Sequence, residues 1–252
     1  TELINERWRG KCFRELSETD KRRLKNYTIH AIVFEQKHPS DDSGLFQVFE
    51  RINTSGTTLN NQEIRNCVYQ GELNTLLFKV NKNQQWRVLY GEQGEDSRML
   101  DLELILRYYA LNSPEIYNSD KKKISLKQEL NKYMQSKMNA SPDFITEKEL
   151  EFNSVIDFIF THMGEEAFFN LQNDLSKIRR RLYPTVFDSI MIATSIAQRR
   201  GYINRGENLS DKRLELLKNA TYRESISQGT MKTESIRTRI SYALHYLYGM
   251  EL

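Results

Sequence analysis

Along most of the chain apolar residues recur at three- and four-residue spacing, the period of helices that bury one face. Residues 11–26 read as a short helix with Phe13, Leu16 and Leu24 on its apolar side. Residues 27–34 are rich in β-branched and aromatic side chains and make the one convincing strand. A polar loop at 36–44 leads to Leu45, Val48, Phe49 and Ile52 at helical spacing, and the Asn/Gly segment 53–56 breaks that run. Asn60 and Glu63 stand at capping-box spacing, flanked by the staple pair Leu59 and Ile64. They open a helix that passes Gly71 and ends near Val80.

Further on, residues 99–111 are apolar on most sides and belong in the core, whereas 127–138 and 150–163 carry apolar stripes. Pro184 suits the first turn of a helix running to about residue 198. Ser210 reads as the cap of another helix, with Leu209 and Leu214 as its staple, and 234–248 forms the last helix. The expectation is mainly α (α+β), about eight helices to one strand. The segment 113–123, with Pro114 and the run Lys121 to Lys123, reads as a loop and divides the chain into domains 1–112 and 113–252. A lone strand leaves backbone groups unpaired, so either weak strands lie among the loops or its partners lie upstream of Thr1.

Composition narrows the class. In 252 residues, 11% aromatics exclude a disordered chain, and 4 Pro with 11 Gly exclude collagen-like or turn-dense all-β architectures. Two cysteines, Cys12 and Cys67, are too few for a disulfide framework and read as packing residues in a reducing, cytoplasmic setting. No apolar run approaches the roughly 20 residues that span a bilayer, which points away from a membrane partner. The formal charge of +3 hides an asymmetry: from Asp174 onward there are 14 basic and 8 acidic residues, so the last third is +6 and the remainder −3. Such a distribution suits a phosphate-rich partner, or an ordinary solvated helix surface.

Two segments carry candidate chemistry. The turn after the 45–52 helix presents Arg51, Asn53, Thr54, Ser55 and Gly56. Asn and Gly tolerate positive φ, the hydroxyls and the next helix's free N–H groups donate, and Arg51 supplies counter-charge, a combination that holds phosphate. The bland alternative is a corner whose polar groups only cap backbone. The second segment is Arg179, Arg180 and Arg181, the densest basic cluster, with Tyr183 and Tyr202 near in sequence. It suits DNA phosphates and bases, or pairing with Asp174 and Asp188 around a helix start. The loop 225–233 is similarly open: a capping turn, or hydroxyls and amides facing phosphate. The histidines, His30, His38, His162 and His245, lack metal-site spacing, so no metal centre is expected. Glu35 and Lys37, with Asp20 upstream, imitate a restriction-type nuclease site at a spacing that chance supplies cheaply.

The run Phe49, Ile52, Asn53, Gly56, Leu59 with Glu63 and Ile64 resembles the F-x-x-I-N-x-x-G-x-x-L pattern of the family typified by the N-terminal domain of GmrSD restriction endonucleases, related to the ParB/sulfiredoxin-like fold. The order of the 27–34 strand and the helix after Leu59 is similar to that family, as is the segment 179–187 to its helical C-terminal part. The resemblance implies a remnant of a ParB-like nucleotide-handling domain followed by a helical bundle. It also implies a prokaryotic, defence-type protein that binds DNA or a nucleoside triphosphate with Mg, as a homodimer or beside a nuclease subunit. The family's D-G-Q-Q-R-type motif has no counterpart here and is expected upstream of Thr1, so catalytic residues are unknown and no turnover is assigned. The alternative, from another class, is a non-catalytic helical scaffold or DNA-binding module.

Overall fold

The computed structural model describes residues 7–28, positions 44, 46, 48 and 51, and residues 58–117, 119–172, 174–175, 177–203 and 206–252. The chain forms two compact units, 1–40 and 41–252. Among the described residues there are twelve α-helices and one two-stranded antiparallel sheet, and the protein is mainly α. No described helix is long and apolar enough to cross a membrane.

In the first unit the helix expected over 11–26 is broken. A 3₁₀ turn, Phe13–Glu15, precedes α1, Glu18–Lys25. Ser17 adopts an extended conformation and its Oγ accepts from the Asp20 backbone N–H at 3.2 Å, which starts a new helix and ends the old one. The Asp20 Oδ2 accepts from Ser17 Oγ at 2.6 Å and pairs with Arg7 at 3.1 Å. Of the expected strand, Tyr27 and Thr28 are not extended into a ladder, and the rest lies outside the described residues, as do Glu35 and Lys37.

The second unit opens with helical positions 44, 46, 48 and 51, where helical spacing was expected, and Phe46 is buried. The Asn60 capping box is present: its Oδ1 accepts from Gln62 and Glu63 N–H at 2.8 and 2.9 Å, and Glu63 Oε2 accepts from Asn60 N–H at 2.6 Å. The long helix that follows in expectation is two, α2 (Asn61–Val68) and α3 (Glu72–Val80), parted at Gly71. Glu72 N–H donates to Met138 O at 2.9 Å, and a Cβ on Gly71 would lie 2.3 Å from that same oxygen. Only glycine allows the approach. Next come α4 (Gln84–Tyr90), α5 (Leu100–Leu111), the short α6 (Pro114–Tyr117) within the expected loop, and α7 (Leu126–Ser136).

Helix α8 (Pro142–Met163) starts well before the stripe that announced it, because Ser141 caps Phe144 N–H and Pro142 fills the first turn. A hairpin of β1 (Phe169–Leu171) and β2 (Ile178–Leu182) then leads into α9, Pro184–Arg199. Thereafter come α10 (Leu209–Lys218), α11 (Ala220–Ser227) and α12 (Thr233–Tyr248). Asn208, not Ser210, caps α10, accepting from Asp211 N–H at 3.2 Å. Every residue of α9 from Thr185 to Ala197 is buried, so it is the central helix, packed by α12, α5 and α8. Trp86, Phe152, Phe168 and Phe187 fill the space around it; Phe168 and Phe187 meet edge-on with centroids 4.9 Å apart.

Candidate nucleic-acid interface

The expected phosphate turn falls mostly on residues the structure does not describe. Arg51 is helical and exposed, and Asn53, Thr54, Ser55 and Gly56 lie outside the described residues. Arg179, Arg180 and Arg181 occupy β2 rather than a helix start. Strand alternation puts Arg179 and Arg181 on one face and Arg180 on the other. Arg180 and Arg181 are exposed, and Arg179 is half-buried. The aromatic neighbours expected beside them are engaged elsewhere. Tyr202 packs edge-on against Tyr248 at 4.8 Å and donates to Glu207, its hydroxyl pushed up to about 12 by burial and by that carboxylate. The packing role assigned to the cysteines is also corrected: both thiols are free and exposed.

Asp188 does not pair with this cluster. It is wholly buried on α9, where Arg107 of α5 grips it with Nε at 3.1 Å and Nη2 at 2.5 Å. On its other side Arg239 of α12, also wholly buried, approaches Oδ2 at 3.4 Å and donates from Nη1 to Thr230 O at 2.7 Å. Among the described residues the Arg239 Nε has no partner. Burial works against both guanidinium charges; the bidentate grip more than offsets it for Arg107, whereas the single long contact leaves Arg239 lowered. Two cations thus share one carboxylate at the junction of three helices.

A run read from sequence as a boundary loop becomes part of a surface. Lys123 bridges Lys232 in antiparallel fashion, Ile124 N–H donates to Met231 O at 3.0 Å and Thr233 N–H donates to Lys122 O at 3.3 Å. The Thr233 hydroxyl donates to Lys121 O. Residues 225–227 close α11, and a turn at Gly229, whose φ is +53°, folds Lys232 back so that its N–H reaches Gly229 O at 2.7 Å. These bonds draw the 119–123 segment against the start of α12. The result is an open groove of about 570 Å³ lined by Lys121, Lys122, Lys123, Lys232 and Arg237, with only Asp120 and Glu234 as acids.

Five cations against two acids give this lining the same +3 that the whole chain carries. All five cationic residues are exposed. The four lysine ammoniums make no hydrogen bond or ion pair with described residues, and among those residues Arg237 meets Tyr117 O alone, through Nε at 2.8 Å. Exposed ammoniums without partners among the described residues are point charges suited to a string of phosphates rather than to one enclosed anion. Sequence reasoning missed this groove because its two halves lie more than a hundred residues apart; the lysine run itself was visible.

No family model matches the chain, and no curated protein or solved structure matches it.

Proposed function

We propose that this protein binds DNA through the lysine groove, as the helical part of a restriction-like, defence-type protein of the kind the GmrSD N-terminal family typifies. The observation that supports the reading is the concentration of Lys121, Lys122, Lys123, Lys232 and Arg237 on one groove with little acidic opposition. Contacts of this type neutralise backbone phosphates and release counterions, so they confer affinity without sequence preference. The exposed Arg180 and Arg181 of β2 offer further phosphate contacts.

The test is fluorescence anisotropy of a labelled duplex across a salt series. Each phosphate contact contributes about −0.9 to the slope of log affinity against log salt. Changing Lys121, Lys122, Lys123 and Lys232 together to Gln therefore flattens the slope by about 3–4 units, with the circular dichroism spectrum unchanged. A parent protein that ignores duplex DNA, or a quadruple variant that keeps the parent slope, overturns the reading.

A further inference from the structure

Residues 7–28, the described part of the first unit, carry eight cations against three acids, and all three acids are spent within the segment. Glu15 Oε2 accepts from Cys12 N–H at 2.8 Å, Glu18 pairs with Lys21 at 2.9 Å, and Asp20 pairs with Arg7 at 3.1 Å. The other six cations, Arg9, Lys11, Arg14, Arg22, Arg23 and Lys25, are exposed and make no ion pair with described residues. The C-terminal dipole of α1 accounts for Arg22, Arg23 and Lys25 but not for the other three, which precede the helix.

Apolar side chains stand among these charges. Phe13 is 46%, Leu24 45% and Tyr27 75% exposed. Lys25 Nζ lies 5.9 Å from the centre of the Phe13 ring, which sets the 3₁₀ turn beside the last turn of α1, where Leu24 sits. Tyr27 N–H donates to Leu24 O at 3.2 Å and keeps the chain at the same end of the helix. A lone exposed hydrophobic residue needs no explanation, whereas a group of them among unpaired cations marks an interaction surface.

The composition points to the kind of partner. The lysine groove has four lysines, one arginine and no aromatic residue in its lining. Here four of the six unpaired cations are arginines, and two of the three apolar residues are aromatic. Protein interfaces are rich in arginine and aromatic residues and poor in lysine. A guanidinium also grips a carboxylate through two parallel hydrogen bonds, which an ammonium cannot do. A nucleic-acid strand would stack on Phe13 and Tyr27 but has no use for the aliphatic Leu24. A lipid surface calls for a helix with a wide apolar face, and Leu24 is the one apolar residue of α1.

We propose that residues 7–28 dock an acidic, amphipathic segment of a partner protein, with carboxylates on the arginines and apolar side chains against Phe13, Leu24 and Tyr27. The surface is separate from the lysine groove and does not rest on the DNA reading. Fluorescence anisotropy of the full chain with a labelled peptide carrying Glu and Leu at helical spacing tests it, beside polyglutamate of equal charge and a thymidine oligonucleotide. The Glu/Leu peptide is expected to bind about tenfold more tightly than polyglutamate. Changing Arg22 and Arg23 together to Gln weakens both peptides by about tenfold. Leu24→Ser weakens the Glu/Leu peptide by about fivefold and leaves polyglutamate unchanged. Should Leu24→Ser loosen α1 by circular dichroism, Tyr27→Ser, at a side chain 75% exposed, gives the same split. The quadruple lysine variant keeps the peptide affinity of the parent. Absence of Glu/Leu peptide binding at millimolar concentration, equal affinity for polyglutamate, or loss of the peptide in the quadruple lysine variant overturns the proposal. So does an oligonucleotide that binds more tightly than the peptide and is released by the Arg22 and Arg23 changes, because the surface then belongs to nucleic acid.

Discussion

Replacing Asp188 with Asn removes a buried negative charge and little else, since volume and one acceptor oxygen remain. It leaves Arg107 and Arg239 facing each other across a neutral amide. Removing one member of a buried ion pair typically costs about 3–5 kcal/mol, because the surviving charge stays desolvated. The two survivors are not equivalent. Arg107 borders a cavity between α4, α5 and β2 and can be hydrated from it, whereas Arg239 is 0% exposed and already has an orphaned Nε. Most of the cost therefore falls on Arg239. Against a total stability of about 5–15 kcal/mol, the loss is large, and for a chain of this length it corresponds to a fall in Tm of about 10 °C.

Urea unfolding followed by circular dichroism measures it as a lower midpoint at unchanged m. The companion variant Arg239→Met is the sharper probe. It keeps the bidentate Arg107–Asp188 pair, removes the orphaned Nε and loses only the long contact and the bond to Thr230 O. It should cost less than about 1.5 kcal/mol, and combining it with Asp188→Asn should be less damaging than the sum of the two changes. If Asp188→Asn costs under about 1 kcal/mol, or Arg239→Met costs as much as Asp188→Asn, the electrostatic account of this junction is wrong.

Gly71→Ala should destabilise by roughly 1–3 kcal/mol through the clash with Met138 O, a backbone atom that cannot swing aside, and chemical denaturation reads the loss. Glu151 accepts from Lys148 at 2.6 Å, Ser195 at 2.6 Å and Tyr108 at 3.0 Å. Burial would raise its pKa, but these partners outweigh burial and hold it below the usual value. Its stabilisation is therefore complete above the unfolded pKa of about 4.3 and is lost as pH falls through the lower folded value, so the parent's advantage over Glu151→Gln should shrink on acidification. Cys12 and Cys67, both exposed, should react with a thiol reagent in the native protein as completely as in denaturant.

Helices with strong local punctuation were legible in the chain. Asn60 with Glu63 marks α2, and Pro184 marks α9, because capping and N1 preferences act within a single turn. The hairpin was not. The strand Ile-Arg-Arg-Arg-Leu has no alternation of apolar and polar residues, and what holds it is pairing with β1, including Phe169 opposite Leu182. Helix α4 escaped notice although Asn83 caps it and Gly91, with φ +94°, ends it, since an apolar period is hard to see over seven residues. The buried arginines Arg65, Arg87, Arg107, Arg213 and Arg239 look like surface residues in a sequence. Their burial depends largely on acceptors brought in from other parts of the chain, as Asp188 and the Phe169 carbonyl show, and no local pattern encodes that. The DNA candidates Arg179 to Arg181 were legible as charges but not as a strand, and the cavity beside Arg181 needed α4 and α5 to be assembled first.

The groove between the 119–123 segment and α12 is positioned by main-chain bonds and the Thr233 hydroxyl: the Lys123–Lys232 bridge, the Thr233 bonds and the turn at Gly229 fix it. Its lysine ammoniums make no hydrogen bond or ion pair with described residues. Selection can therefore rewrite them one at a time, changing charge, reach or hydrogen-bonding character, with folding left intact at each step. The core around Asp188 has no such freedom, since any change there must be answered on two other helices. The molecule is thus divided into a register that mutation can edit and a frame that it cannot, and adaptation to a changing partner has an open route through the former.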